Sequence, residues 1–328
     1  MSHIKFFQQI SKKDVAIAGG KGASLGEMIQ AKISVPPGFV VLSAAFDRFL
    51  DESNLIEDID AQLKKVNPED TNSIDRVSMV IRDMIHDTMM PKDLEKEILT
   101  AFKKLDAKLV AVRSSATAED SVVASWAGEL ETYLNTEKNN ILERVKLCWS
   151  SLFTPRAIFY RHEKKLIDHY VSVAVVVQKM VQSEISGIAF TVHPVTEDYD
   201  QIIIEAGFGL GEAIVSGKIT PDSYIVSKSE MSIMDININE QDRKLIRKVG
   251  KKKGEEDEEN KSNHWEKLGK EGNKQKLSGK QIIEAAKLFK RIEDHYGFPC
   301  DIEWAVEKDK LYITQSRPIT TLKTGNHS

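Results

Sequence analysis

The sequence predicts an α/β (α+β) protein large enough for two lobes. Its 328 residues suffice for two ordinary domains or one large two-lobed unit. Residues 44–105 carry apolar side chains at helical spacing, as at Leu55 and Ile59. Residues 171–178 form instead a continuous apolar run, which is typical of a strand buried on both faces. Long helices and buried strands therefore occur in the same chain.

The first predicted lobe is residues 1–181, because the long apolar strand gives way to polar residues after Val181. Its helix after the glycines shows Leu25, Met28 and Ile29 on one face. The predicted elements are, in order, a flexible glycine loop at 19–22, a helix at 23–31, a turn at 35–38, a strand at 39–42, helices across 44–105, a strand at 109–112, a helix at 141–165 and a strand at 171–178.

The second predicted lobe is residues 182–328. Its elements are strands at 188–192, 201–206 and 223–227, a helix at 281–295 with Ser278 as N-cap, and a hairpin of strands at 301–307 and 311–315. Residues 248–276 are rich in Lys, Glu, Gly and Asn, and such a composition cannot bury enough apolar surface to offset its ordering entropy. We expect a mobile, charged surface insertion there.

Composition and charge exclude several classes of protein. The formal net charge of −4 argues against general nucleic-acid binding, so we expect no nucleic-acid partner. The longest apolar run, at 171–177, is far too short to span a bilayer, and residues 1–10 lack a secretory pattern, so we expect no membrane association. The two cysteines form no metal-binding or redox spacing, which favours a cytoplasmic protein with both thiols packed in its core.

Two segments of the first lobe have the chemistry of a phosphate site. A short strand ends in Arg113, Ser114 and Ser115, and a guanidinium with small hydroxyl groups suits phosphate oxygens. Lys21 lies among glycines that would let the backbone approach a ligand closely, although the order of residues is not that of a P-loop. Each segment alone is equally consistent with a polar surface loop.

The C-terminal hairpin predicts a magnesium site. Alternate side chains of a strand share a face, so Asp301 and Glu303 point to the same side of their strand. Gln315 and Arg317 likewise share a side of the return strand. If the hairpin aligns these faces, carboxylate and amide oxygens converge, as Mg²⁺ with a nucleotide phosphate requires. Arg317 would then offset charge on a transferring phosphoryl group. The alternative is a surface hairpin with an ordinary ion pair.

Two weaker features belong to the same hypothesis. The small-residue segment 124–128 followed by Thr132 could close over phosphates, or be only a turn. Gln178 ends the buried strand, where its amide suits an adenine edge or a purely structural role. The histidines have no metal-ligand spacing, and His193 is the only one near the predicted site.

The motifs taken together resemble a known family. They are G-G-K-G-A-S-L-G-E-M (19–28), V-P-P-G-F (35–39), V-R-S-S-A-T-A-E-D (112–120), A-S-W-A-G (124–128), S-L-F-T-P-R-A (151–157), S-G-I-A-F-T (186–191), G-L-G-E (209–212), D-I-E-W (301–304) and Q-S-R-P (315–318). In this order they resemble the N-terminal ATP-binding domain of phosphoenolpyruvate synthase (pyruvate, water dikinase), pyruvate phosphate dikinase and rifampicin phosphotransferase. The resemblance spans nearly all of residues 18–321.

The resemblance implies an ATP-grasp-like, two-lobed nucleotide-binding domain with ATP held between the lobes. It implies catalytic roles for Lys21 and Arg113, which would contact the phosphates, and for Arg317, which would stabilise them during transfer. Gly128 and Thr132 would belong to a loop that covers the phosphates.

The remaining implied ligands concern the base and the metal. Gln178 would lie by the nucleotide, on the strand leading to a hinge at residues 179–181. Glu303 and Gln315 would hold Mg²⁺, with Asp301 nearby. ATP and Mg²⁺ are therefore the expected ligands.

The resemblance also implies a reaction. In the family, the β- and γ-phosphates of ATP pass to a histidine on a separate domain, and the net reaction converts ATP, pyruvate and water to AMP, phosphoenolpyruvate and phosphate. The sequence contains no G-G-x-x-S-H-type motif and stops soon after Pro318, so we expect a phosphohistidine partner in cis, lost by truncation, or in trans. Pyruvate would be an indirect partner. The alternatives are the ATP domain of an antibiotic kinase and a non-catalytic nucleotide-binding module.

Overall fold

The computed structural model describes residues 2–117, 131–163, 171–247 and 263–322. The chain divides into two compact units. Unit 1 comprises Met1–Gln30 and Pro37–Met180, and unit 2 comprises Ala31–Pro36 and Val181–Ser328. No helix among the described residues is long and apolar enough to cross a membrane.

Unit 1 combines one antiparallel sheet with helices on both of its faces. Its described strands are β1 (Ile4–Phe6), β2 (Gly38–Val41), β3 (Val110–Ala116), β4 (Thr132–Thr136) and β5 (Val173–Lys179), in the spatial order β1-β2-β5-β3-β4. Its described α-helices are α1 (Val15–Gln30), α2 (Ser43–Glu52), α3 (Leu55–Leu63), α4 (Thr71–Asp87), α5 (Lys92–Leu105), α6 (Ile141–Ser150) and α7 (Pro155–Glu163). The predicted α/β fold class is thus confirmed.

The core of unit 1 lies between one face of this sheet and helices α2 to α7. The apolar stripes predicted within 44–105 and 141–165 pack there, and Trp149 lies with its ring centroid 5.0 Å from that of Phe49. Val175 and Val177 of the central strand β5 point into this core. Helix α1 packs on the opposite face, against β3 and β5. The prediction that this strand is buried on both faces is correct.

Two predicted boundaries in unit 1 are wrong. The glycines at 19–22 were predicted as a flexible loop, but they lie inside α1, where only Gly19 (φ 67°, ψ 170°) leaves the helical conformation. The strand predicted to end before Arg113 continues to Ala116, so Arg113, Ser114 and Ser115 are strand residues. Both segments extend regular structure because they pack on each other, a long-range contact that local pattern does not reveal.

Unit 2 is built on a second antiparallel sheet. Its strands are β6 (Ile185–Phe190), β7 (Gln201–Phe208), β8 (Asp222–Ser227), β9 (Ile233–Asn237), β12 (Cys300–Glu307) and β13 (Lys310–Pro318), in the order β13-β12-β6-β7-β8-β9. Helix α8 (Glu212–Val215) follows β7, and helix α9 (Gly279–Tyr296) packs on one face of the sheet. The predicted cap of α9 is present, since the Ser278 hydroxyl accepts from the Gln281 N–H.

The predicted mobile insertion at 248–276 is partly wrong. Residues 248–262 lie outside the described part of the chain. Residues 263–276 instead contribute strand β11 (Asn263–Lys267), which pairs with β10 (Arg243–Arg247), and a 3₁₀ turn at Gly269–Asn273.

The reason is a contact that composition does not show. Lys276 is buried, and its ammonium group donates to the Asp222 carboxylate at 2.8 Å. Leu245 of β10 packs in a small apolar cluster with Leu210 and Ala213. One buried leucine and one buried ion pair therefore hold the β10–β11 segment against unit 2, although its composition predicts that it stays exposed to solvent.

Candidate functional site

The polar side chains of unit 1 lie on one face of its sheet. In the register, Arg113 is opposite Thr132 on one side and Val176 on the other. Directly paired residues of an antiparallel ladder share a face, and so do residues two apart on one strand. Gln178, two residues from Val176, therefore shares this face, on which α1 with Lys21 also packs. The opposite face is the apolar core of unit 1.

Lys21 is fastened to strand β3 by its backbone and its side chain. Its Nζ donates to the carbonyl oxygen of Ser114 at 2.9 Å, and its N–H donates to the Ser115 Oγ at 3.1 Å. Strand β3 thus holds Lys21 one and two residues away from Arg113. Two basic residues that are 92 positions apart in the sequence (113 minus 21) are thus placed on, and fastened to, the same strand.

Arg113 and Thr132 differ in their exposure. Arg113 is largely buried, with 9% of its surface exposed, whereas Thr132 at the start of β4 is exposed. A guanidinium keeps its positive charge at every physiological pH and offers a planar fork of donors. This face of the sheet is therefore suited to an anion with several oxygens. Gly128 and the segment 124–128 lie outside the described residues.

Gln178 carries an unmet hydrogen-bond donor. The residue is 3% exposed, and its Nε2 finds no hydrogen-bond partner among the residues that the structure describes. Leaving a buried amide donor without an acceptor costs roughly 1–3 kcal/mol. A ligand with an acceptor at this position would remove that cost.

The polar side chains of unit 2 also share one face. Across the β12–β13 ladder, Asp301 lies opposite Arg317, and Glu303 lies opposite Gln315. A register shift follows between Glu303 and Trp304, whose indole packs on the other face with its centroid 6.3 Å from that of Phe289 in α9. The hairpin thus brings its two acids, its amide and its guanidinium together.

Asp301 and Arg317 form the ion pair that the alternative interpretation expected. Both Nε and Nη2 of Arg317 lie 2.8 Å from Oδ2 of Asp301. The pair is not an ordinary surface pair, because the Asp301 side chain is only 12% exposed while that of Arg317 is 55% exposed. Burial raises the pKa of Asp301, Arg317 partly offsets this, and the neighbouring Glu303 raises the pKa again. Because its side chain is more than half exposed, Arg317 keeps a solvent-facing side for a further anion.

Glu205 is a third carboxylate on this face, and the motifs of the sequence did not predict it. It lies on β7 opposite Ile188, which in turn lies opposite Glu303. Burial raises the pKa of Glu205, and the charge of Asp301 raises it further. A single acid within the apolar strand I-I-I-E-A was the available signal, since alternation puts it on the face opposite Ile204.

No group of three or more His, Cys, Asp or Glu side chains within the described ranges is arranged to hold a metal ion by itself. Mg²⁺ usually keeps several waters and binds one or two carboxylates together with substrate phosphates. A carboxylate facing an amide oxygen, as Glu303 faces Gln315, is a donor set of that type.

Comparison with known families identifies the family of the chain. Residues 15–328 match the family described as "Pyruvate phosphate dikinase, AMP/ATP-binding domain". The chain belongs to this family. The resemblance to the ATP-binding domain of phosphoenolpyruvate synthase and pyruvate phosphate dikinase, predicted from the motifs, is thereby confirmed.

Similar curated proteins come from archaea. The probable phosphoenolpyruvate synthase of Methanocaldococcus jannaschii is 46% identical over 333 residues, which cover 99% of this chain and 27% of that protein. The probable phosphoenolpyruvate synthase of Archaeoglobus fulgidus is 47% identical over 98% of this chain and 42% of its own length. The phosphoenolpyruvate synthase of Pyrococcus furiosus is 42% identical, with 98% and 44% covered. The chain thus spans less than half the length of these relatives.

Among solved structures, the D-alanine-D-alanine ligase of Helicobacter pylori aligns with 69% of this chain and 47% of its own. The TM-score is 0.28 and the sequence identity is 13%. This likeness is too small to support a conclusion about the fold.

Proposed function

We propose that this domain binds Mg²⁺-ATP and transfers its β- and γ-phosphates together to a histidine of another domain or chain. The observation that carries the proposal is the shared face in unit 1, where Lys21, Arg113, Thr132 and Gln178 come together from four separate segments. Such a set has positive charge for phosphates and an amide for a base. The family's description as an AMP/ATP-binding domain names the ligand class.

Gln178 is the proposed contact to the adenine. Its buried Nε2 has no acceptor among the described residues, and a ring nitrogen of adenine would supply one. Binding the base would then satisfy a donor that is costly to leave unmade.

Lys21 and Arg113 are the proposed phosphate contacts. Their charges lie on adjoining segments that are tied by hydrogen bonds, so they need little rearrangement to meet an anion. In phosphoryl transfer the protein contributes chiefly position and charge neutralisation. Thr132, exposed opposite Arg113, adds a hydroxyl group at the same place.

Glu303 and Gln315 are the proposed Mg²⁺ ligands of unit 2. Their paired oxygens, an acid and an amide, suit a hard cation that also binds phosphate. Mg²⁺ would neutralise charge on the phosphate oxygens. Arg317, half-exposed and fixed by Asp301, would offset the charge that develops during transfer.

The proposed acceptor is a histidine. Its ring nitrogen would bond to the β-phosphorus as the bond to the α-bridging oxygen breaks, and AMP would leave. The relatives' name, phosphoenolpyruvate synthase, supports an overall reaction that converts ATP, pyruvate and water to AMP, phosphoenolpyruvate and phosphate. The histidine and pyruvate sites would belong to parts of such an enzyme beyond the matched region.

Calorimetric titration of Mg²⁺-ATP into the chain tests the binding step. We expect binding in the parent, a loss of about tenfold or more, ~1.4 kcal/mol, in Lys21→Ala, and parental affinity in Lys13→Ala. Lys13 is an exposed lysine near the start of α1 and serves as the matched charge control. An equal loss in both variants would refute the assignment of Lys21.

The transfer step is tested with ATP labelled in its β-phosphate and a purified phosphohistidine domain added in trans. Labelled histidine together with AMP supports the proposed transferase. Bound but intact ATP would show a nucleotide-binding module without catalysis, and the proposed transfer would be wrong.

A further inference from the structure

The helix that carries Lys21 starts twice. Gly19 interrupts α1 with φ 67° and ψ 170°, and the helix resumes from Gly20 to Gln30. A restarted helix has N–H groups in its first turn that no helical carbonyl accepts. These N–H groups normally donate to the side chain of the N-cap residue, which is the residue just before the helix. Here glycine occupies that position and has no side chain to offer.

The cap comes instead from strand β3. The Ser115 Oγ accepts from the N–H of Lys21 at 3.1 Å and from the N–H of Gly22 at 3.4 Å. Ser115 is 1% exposed, so no solvent replaces these bonds. The glycine lets the strand come this close, because a Cβ on Gly19 would lie 2.2 Å from the Ser115 Oγ and 2.4 Å from its carbonyl oxygen.

We propose that Ser115 is a positioning residue for phosphate binding, which acts by capping the restarted helix and so fixing Lys21 beside Arg113. This inference rests on the proposed function. Ser115 and Arg113 are two residues apart on β3 and share its α1-facing side. The cap therefore fixes the backbone of Lys21 to β3, the same strand that carries Arg113.

The cap also decides which groups remain for a ligand. A P-loop presents its helix N–H groups to the phosphates. In this chain the N–H groups of Lys21 and Gly22 already bond to Ser115. From this part of the helix, what remains to meet a phosphate is consequently the Lys21 ammonium group, whose backbone is held by the cap.

The test compares Ser115→Ala with Ser78→Ala in the full chain. Ser78 is a matched control, because it is also a buried serine of unit 1, and its hydroxyl donates to the Phe153 carbonyl at 2.7 Å on the core side of the sheet. Affinities for Mg²⁺-ATP and for adenosine are measured by calorimetry. We expect Ser115→Ala to weaken Mg²⁺-ATP about tenfold, ~1.4 kcal/mol, while adenosine affinity stays at the parental value. Ser78→Ala should leave both affinities unchanged.

Adenosine distinguishes positioning from a general structural role, because it lacks the phosphates that Lys21 would contact. Equal losses for ATP and adenosine, or no loss for ATP, would overturn the proposal. If Ser115→Ala does not fold, Ser115→Cys keeps the volume but supplies only a weak acceptor, and the same comparison is made with it.

Amide hydrogen exchange measures the cap without any nucleotide. Protection of the Lys21 and Gly22 amides should fall in Ser115→Ala and remain in Ser78→Ala. Unchanged protection would refute the cap itself. If the parent bound no Mg²⁺-ATP while protection fell as expected, the proposed function would fail and the positioning role with it, although the cap would stand.

Discussion

Lys276 and Asp222 form an ion pair at 2.8 Å with neither side chain exposed to solvent. The lysine also donates to the Asn239 carbonyl, and the aspartate also accepts from the Tyr224 hydroxyl and the Asn239 N–H. Burying two charges is costly unless their remaining donors and acceptors are met, as they are here. The pair fastens the end of the β10–β11 segment to strand β8.

Breaking this pair should destabilise unit 2 strongly. We expect Lys276→Met to lower the free energy of unfolding by about 3–5 kcal/mol, because Asp222 would stay buried without its cationic partner. The control is Lys274→Met, whose exposed pair with Glu271 should cost less than about 1 kcal/mol. Urea unfolding measures both. Equal small losses in the two variants would show that the buried pair is not needed.

The glycine break in α1 gives a second prediction. Gly19→Ala should lower the free energy of unfolding by roughly 2–4 kcal/mol, because φ 67° strains an L-residue and the Cβ would meet Ser115. Gly20→Ala is the control, since nothing lies within 4 Å of a Cβ at that position. It should be neutral or stabilising, because alanine favours a helix over glycine by about 1 kcal/mol. A stabilised Gly19→Ala protein would contradict the close packing of Gly19 against Ser115.

Magnesium dependence tests the face in unit 2. Glu303→Gln should lower Mg²⁺-dependent phosphate transfer at least about 100-fold, the upper end of what loss of a supporting partner costs at a metal site. The far-UV spectrum should not change. Glu307→Gln, at the turn end of the same strand, is the control and should retain parental activity. Full activity in Glu303→Gln would rule out the proposed metal ligand.

The raised pKa of Glu205 predicts a pH-dependent stability. A carboxyl whose pKa is higher in the folded chain than in the unfolded chain lowers the free energy of unfolding as pH rises above about 4.3. Burial and the charge of Asp301 raise the pKa of Glu205 in this way. We expect Glu205→Gln to raise the free energy of unfolding at neutral pH, with the difference vanishing below about pH 4.

Urea unfolding across this pH range makes the measurement, beside Glu284→Gln on the exposed side of α9. A gain for Glu205→Gln that persisted at low pH would mean that charge is not its cause.

Neither cysteine should react with a thiol reagent in the folded protein. Cys148 and Cys300 are both free and buried. Burial raises the pKa of the Cys300 thiol to about 12 and that of Cys148 still further, so the reactive thiolate is scarce at neutral pH. Maleimide labelling should reach both thiols only after unfolding. Rapid labelling of either thiol in the native state would contradict its burial.

Local pattern predicted most elements of this fold, because each depends on neighbours in sequence. The helices within 44–105, the central strand β5 and the β12–β13 hairpin follow from apolar spacing and turn residues. The alternation in the hairpin also predicted that its polar residues would share a face, as Glu303 and Gln315 do. The family was evident from ordered motifs.

What the pattern did not predict depends on distant residues. Ser115 caps a helix 94 residues away, which turned an expected glycine loop into regular structure. Glu205 reaches the polar face only through the register of three strands. Lys276 is buried because its ammonium group pairs with the Asp222 carboxylate. Composition alone had predicted that its segment would be exposed to solvent. Whether Gly128 covers a ligand stays a prediction, since it lies outside the described residues.

The short excursion at Ala31–Pro36 means that neither unit is one uninterrupted piece of chain. Ile33 and Val35 are buried, and the Ser34 carbonyl accepts from the Ile313 N–H at 2.8 Å. During synthesis these residues leave the ribosome long before Ile313 exists, so unit 2 must wait for the last hairpin to complete itself. A cut after Met180 would leave this apolar peptide on the fragment that carries unit 1. Co-expression of the two fragments should restore the contacts of this peptide with unit 2, which neither fragment can form alone.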